Sequence, residues 1–352
     1  MIEEVDAARA SAGSHGEYPW ESDRVVTSAG VVVPVRATAR RPGWENLGTA
    51  VRSVIQQTVG QPVIDTWSAQ TGFTPGFASR LTLADGVRVF VKAASSADDE
   101  LHGWPLSDAY RDEARKLQAL PAGIGAPRLL WHRDVEIEGV QWVVLGLQYV
   151  DGVPPRRPWR RSELRLVMDK LAATADALSR VPTGLHLASA VSELTDGQAA
   201  RLTRIRELGG DNAWFDRVER LCGEAEERLD GTSVAHLDLR DDNVLIDAQD
   251  EVWFVDWNWP AVGAPWLDLV CILISAVGDG LDGDALLAEH PLTVAVDPES
   301  VDCLLAVLWT FWEIQRHQAA PAFSPHLRDH QAWYADATAA WLRQRLACRG
   351  PA

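Results

Sequence analysis

Residues 234–268, VAHLDLRDDNVLIDAQDEVWFVDWNWPAVGAPWLD, gather the chain's chemically costly side chains most tightly. His236, Asp238 and Asn243 stand in the order H-x-D-x-x-x-x-N, and Asp256 follows two short apolar runs. Those runs, Val244-Leu245-Ile246 and Val252-Trp253-Phe254-Val255, are β-branched or aromatic and flank the polar segment 247–251, so the spacing predicts an antiparallel hairpin. A hairpin returns the chain to its start, which brings Asp238 and Asn243 close to Asp256. That grouping suits phosphoryl transfer from a nucleotide: magnesium takes oxygen ligands, and an attacking hydroxyl needs a carboxylate to orient and deprotonate it.

A second set of residues lies upstream. Segment 64–70 reads as a strand, and segments 80–83 and 87–92 read as two more, joined by Asp85-Gly86, a strong hairpin signal. Between the first strand and the second lies TGFTPGFAS, residues 71–79. Backbone amides near Gly72 and Gly76 can approach phosphate oxygens without Cβ interference, and Lys92, ending the third strand, adds a point charge for the α and β phosphates. The segment is neither G-x-G-x-x-G nor a Walker A sequence, so its position ahead of the lysine strand carries the reading of a phosphate-covering flap. Residues 106–120 form a helix pattern with Tyr110, Ala114 and Leu117 on one stripe and Glu113 beside it, with Asp112 as an alternative. Segments 128–132 and 141–150 pair through Glu138-Gly139 and run into Asp151-Gly152-Val153-Pro154-Pro155.

The stretch 234–268 resembles the aminoglycoside phosphotransferase family, the small-molecule branch of the protein-kinase-like fold. The resemblance spans about residues 60–345. It implies an α+β, two-lobed protein-kinase-like fold with a smaller antiparallel β-sheet N-lobe carrying a helix and a larger, mainly α C-lobe. It implies ATP and Mg²⁺ as cofactors, Asp238 as catalytic base, and Asn243 and Asp256 as metal ligands. It makes His236 a structural residue of the catalytic loop and Asp268 the buried brace of that loop. Glu113 would pair with Lys92, and the backbone around Gln148 to Val150 would hold the adenine. Protein kinases carry D-F-G where Asp256-Trp257-Asn258 stands, and no A-P-E sequence follows, which disfavours a protein substrate. Leu237 stands where small-molecule kinases often have Gly.

The expected activity is transfer of the ATP γ-phosphoryl group to a hydroxyl of a small molecule, with aminoglycoside or nucleoside antibiotics and amino sugars among the acceptors. The competing reading is a nucleotide-binding regulatory protein without catalysis. Its sign would be a replaced Asp238, Asn243, Asp256 or Lys92, and all four are present.

The chain has 352 residues, more than one hydrophobic core usually serves, so two lobes are expected. A formal charge of −17 argues against a nucleic-acid partner and makes a cationic acceptor attractive. The four cysteines are far apart, and the sequence has neither a signal-peptide start nor a long apolar span, so a cytoplasmic protein with no membrane partner, monomer or homodimer, is expected. Residues 1–42 read as a loosely ordered extension, with 25–26 and 31–35 as a strand or clasp on the first lobe as the alternative. Residues 43–147 read as the nucleotide-binding N-lobe, opening with an amphipathic helix over 44–59, and 148–352 as the catalytic and acceptor-binding C-lobe. Helical spacing recurs at 164–178, 214–229, 267–277, 301–314 and 332–346.

Three features remain. Arg156, Arg157, Arg160, Arg161 and Arg165 read as a solvated face. Asp279, Asp282, Asp284 and Glu289 are candidates to bind ammonium groups. Trp253, Trp309 and Trp312 read as core, whereas Trp257, Trp259 and Trp266 are candidates to line the acceptor site.

Overall fold

The computed structural model of the protein describes residues 23–36, 39–69 and 71–348, so most of the predicted N-terminal extension lies outside the described residues. The chain opens with a hairpin of β1 (Arg24–Val26) and β2 (Val32–Pro34). Its Val25, Val33 and Val35 are buried, and it clasps the second lobe, not the first. The Ser28 amide donates to Asp336 at 2.8 Å, and the His330 ring meets the Pro34 carbonyl at 2.7 Å.

The expected helix over 44–59 is divided. A 3-10 turn covers 44–46, and extended backbone at Leu47 and Gly48 separates it from α1 (Thr49–Val59). Next come β3 (Val63–Ser68), β4 (Phe77–Leu83) and β5 (Arg88–Ser95), then α2 (Ser96–His102) and α3 (Leu106–Ala119), then β6 (Leu129–Ile137) and β7 (Val140–Gln148). The five strands make one antiparallel sheet in the order β3-β4-β5-β7-β6. Val51 and Ile55 of α1 pack on one face of the sheet together with Phe77, Leu81, Val89 and Val91. On the other face, α3 buries Tyr110, Glu113, Ala114 and Leu117. Lys92 sits on the central strand, flanked by Ala78 and Leu145, with its side chain toward α3.

The second lobe is mainly helical. It holds β8 (Gly152–Val153), α4 (Arg161–Ala177), α5 (Ala190–Thr195), α6 (Gln198–Leu208), α7 (Asn212–Gly223) and α8 (Ala225–Leu229). Then come the short strands β9 (Ser233–Ala235), β10 (Val244–Asp247), β11 (Val252–Phe254) and β12 (Ala261–Gly263). Helices α9 (Leu267–Gly278), α10 (Gly283–Glu289), α11 (Pro298–Gln315) and α12 (Leu327–Cys348) complete it. The predicted hairpin is β10 against β11, with Val244 opposite Phe254, and β12 pairs back on β9. These two ladders frame the loop 236–243. No helix among the described residues is long and apolar enough to cross a membrane.

Candidate active site

The loop between β9 and β10 is held from below by Asp268, at the start of α9. Its carboxylate accepts the His236 amide at 2.7 Å and the Leu237 amide at 2.9 Å. Burial pushes the Asp268 carboxyl up, and those amides and His236 oppose it. The buried His236 ring bonds the Val255 carbonyl at 2.9 Å, tying the loop to the end of the hairpin. Leu237 is forced to φ 64, a left-handed conformation that glycine adopts at no steric cost. The Asn243 amide donates to the Asp238 carbonyl at 2.8 Å and to its carboxylate at 3.3 Å, while Arg240 also pairs with that carboxylate. Burial raises the Asp238 pKa despite Arg240, which moves this carboxylate toward the range of a useful base.

Asp256 closes the hairpin at φ 68 and turns its carboxylate onto Lys92. The ammonium lies 2.7 Å from both Glu113 oxygens and 2.8 Å from Asp256. Burial pushes Lys92 down, but the two carboxylates outweigh it and raise its pKa. Asp256, against its own burial, is held by that ammonium at about 2. Burial pushes Glu113, 1% exposed, up, although the same ammonium opposes it. Lys116, on the same helix, donates to the Asn258 carbonyl at 2.5 Å and fixes the turn after Asp256.

Lys92, Glu113, Asn243 and Asp256 line one cleft between the lobes with Gly72, Gln148, Tyr149 and Val150. The Gln148 side chain turns to Arg128 at 3.2 Å. Gly76 is not on the cleft wall: a Cβ there would lie 2.5 Å from the Tyr110 hydroxyl, so its smallness serves packing against α3 and not phosphate approach. The residue that shapes the flap is Arg41, which donates to the carbonyls of Ala69, Thr71 and Thr74 at 3.1, 2.8 and 2.9 Å. Nothing in the sequence signals this role, because Arg41 sits in a stretch without periodicity. Phe73, at the flap's tip, meets the His330 ring at 5.1 Å, and the Arg240 guanidinium lies 5.3 Å from its centroid.

Residues 80–301 match the phosphotransferase enzyme family. The chain belongs to that family. No curated protein matches it in sequence. Among solved structures, the phosphotransferase is similar in fold to a thermostable mutant of aminoglycoside phosphotransferase APH(4)-Ia, at 15% identity and a TM-score of 0.56 over 83% of this chain and 98% of that one. It is similar to choline kinase LicA from Streptococcus pneumoniae at 14% identity and a TM-score of 0.51, covering 85% and 99% of the two chains. It is also similar to an aminoglycoside phosphotransferase complexed with GDP and kanamycin, at 13% identity and 0.53, covering 84% and 98%.

The phosphotransferase departs from several sequence expectations. Trp257 is 1% exposed, packs on His236 at 4.7 Å and donates to the Phe254 carbonyl at 2.7 Å, and Trp266 is buried too. Of the three candidate tryptophans only Trp259 is exposed, and it shares a cavity of about 430 Å³ with Asp238, Phe311 and Trp312. Trp312, expected in the core, is thus on the wall. Arg157 is not on a solvated face: it is buried, 2.9 Å from Asp241 and 2.6 Å from Asp279. Three of the four carboxylates expected to bind an ammonium are already committed, and Glu289 is exposed. Asp279 holds Arg157, Asp282 caps α10 at the Ala285 amide, and Asp284 pairs with Arg345.

Proposed function

We propose that this phosphotransferase moves the γ-phosphoryl group of ATP to a hydroxyl of a small molecule. The observation that carries the reading is the junction at Asn243. Lys92, Asn243 and Asp256 line the inter-lobe cleft, while Asp238, bonded to Asn243, lines the adjoining cavity. A nucleotide in the first and an alcohol in the second would meet at Asp238. The fold relative that holds both GDP and kanamycin supports such a two-ligand arrangement.

In this reading Asp238 orients the alcohol and takes its proton as the oxygen bonds to the γ-phosphorus and the bond to the β-phosphate oxygen breaks, releasing ADP and the phosphate ester. Lys92, placed by Glu113, lies against the α and β phosphates, beneath the flap at Gly72. The backbone from Gln148 to Val150 receives the adenine, because the Gln148 side chain is engaged by Arg128. Among the described residues no three His, Cys, Asp or Glu side chains cluster as a metal site. Asn243 and Asp256 offer two oxygen donors, which fits magnesium completed by phosphate oxygens and water. Magnesium bound there would offset phosphate charge. We take the lobe boundary at residue 148 and the setting as cytoplasmic.

The test is a pair of variants. Asp238→Ala should lower turnover by about 10²–10⁴-fold while keeping Mg-ATP affinity, because a base and not a metal ligand is lost. Asp256→Ala should weaken Mg²⁺-dependent ATP binding. If both variants lose nucleotide affinity equally, the assignment of Asp238 fails. ATP binding without ADP release for any acceptor would favour the regulatory reading.

A further inference from the structure

Resting on the kinase reading above, we propose that the acceptor is a flat, largely apolar alcohol carrying no more than one ammonium group, held between Trp259 and the Phe311–Trp312 pair. The cavity beside Asp238, about 430 Å³, falls within the roughly 300–1,000 Å³ of drug-sized ligand sites. Its apolar wall is Leu237, Trp259, Val307, Leu308, Phe311 and Trp312. Trp259 is 48% exposed, the only aromatic among the large exposed hydrophobic side chains of the described residues, and it stands three positions after the metal-side Asp256. An indole left open at that place offers a face for a ligand ring. Phe311 and Trp312 lie edge to face, their centroids 4.8 Å apart, and both line the same cavity as Trp259. The Trp312 Nε1 atom is buried with no hydrogen-bond partner among the described residues, so this indole serves the cavity through its ring and not through its N–H.

Charge narrows the class further. Besides Asp238, the cavity's carboxylates are Glu193 and Asp196, and Arg201 lies among them, donating to the Leu194 and Asp196 carbonyls. A polyamine sugar would bring several cations to a wall that offers, besides Asp238, only Glu193 and Asp196, the second of them beside the Arg201 guanidinium. A small quaternary amine would leave most of the apolar wall uncovered. A second cavity shares Asp238, Phe311 and Trp312 and continues past Leu327 and Tyr334, so the apolar surface extends to both sides of the base.

The experiment loads the full chain with Mg-ATP and titrates naphthylethanol, a flat apolar alcohol, or kanamycin, reading tryptophan fluorescence and ADP release. Naphthylethanol should quench saturably and raise ADP release, and Trp259→Ala and Trp312→Ala should each weaken its binding by about tenfold with ATP affinity unchanged. Kanamycin should do neither. Binding of kanamycin in place of naphthylethanol, or no response to naphthylethanol, overturns the proposal. Should Trp312→Ala fail to fold, the exposed Trp259→Ala decides alone. ATP affinity, read separately by thermal shift, keeps the two claims apart: its absence sinks the kinase reading, whereas its presence without a naphthylethanol response sinks only the acceptor class.

Discussion

Two clusters of buried opposite charge use the same chemistry for different ends. Around Lys92, one ammonium meets Glu113 and Asp256, and the Asp256 side chain is still 27% exposed to the cleft. Around Arg157, the guanidinium meets Asp241 and Asp279 while Arg36 and Tyr334 also reach Asp241, at 3.3 and 3.1 Å. None of those three charged partners has a side chain more than 5% exposed. The first cluster is open on one side, so under the proposed function Lys92 would trade a carboxylate for a phosphate. The second is closed, and a buried network of several charged hydrogen bonds rigidifies what it joins. What it joins is the clasp, the segment before α4, the loop 236–243 and the end of α9.

The contrast is sharpest under substitution. Arg157→Ala leaves Asp279 buried without its cation and Asp241 with Arg36 alone, and the expected loss is about 3–5 kcal/mol of folding stability, read by denaturant titration. Lys92→Met should do the opposite, removing nucleotide affinity with a smaller stability loss, because Glu113 is already pushed toward its neutral form and Asp256 can meet water. A Lys92→Met chain as unstable as Arg157→Ala would erase the distinction between the clusters.

The open cluster was legible in the sequence and the closed one was not, for a physical reason. The H-x-D-x-x-x-x-N spacing and the hairpin after it are local, so the grouping of the loop, Asn243 and Asp256 follows from short-range rules, while helical period puts Glu113 beside the buried stripe and the family resemblance chooses it over Asp112. Arg157 is one of five arginines in a short run, and its partners lie 84 and 122 positions away. No local pattern says which arginine turns in. The same holds for Gly76, whose constraint comes from Tyr110 on another element, and for Trp257 and Trp259, neighbours with opposite fates. Residues 23–36 looked loose because the hydrogen-bond partners that hold them belong to the far end of the chain.

His330 sits beside the closed cluster, facing Asp241, Asp242 and Arg240, with its ring against the flap's Phe73 and the clasp's Pro34 carbonyl. Burial, against the pull of the two aspartates, lowers its pKa from 6.5 to about 4. The unfolded chain therefore binds this proton first, and between those values stability must fall as pH falls. The denaturation midpoint should drop between about pH 6.5 and about pH 4, and His330→Gln should flatten that part of the curve. An unchanged slope in the variant would move the acid sensitivity elsewhere.

The smallest effect tests the loop between the clusters. Leu237 is held at φ 64 by the two amide bonds to Asp268, and a left-handed conformation costs a non-glycine residue roughly 1–2 kcal/mol. Leu237→Gly removes that cost, adds about 0.5–1 kcal/mol of backbone entropy, and loses the packing of a half-buried side chain. These terms nearly cancel, so stability should change by less than about 1 kcal/mol, where deleting a core leucine side chain costs about 2–5 kcal/mol. Acceptor binding should weaken at the same time, because Leu237 is part of the cavity wall. A stability loss as large as a core deletion would mean that packing, and not the backbone tied to Asp268, sets the conformation of the catalytic loop.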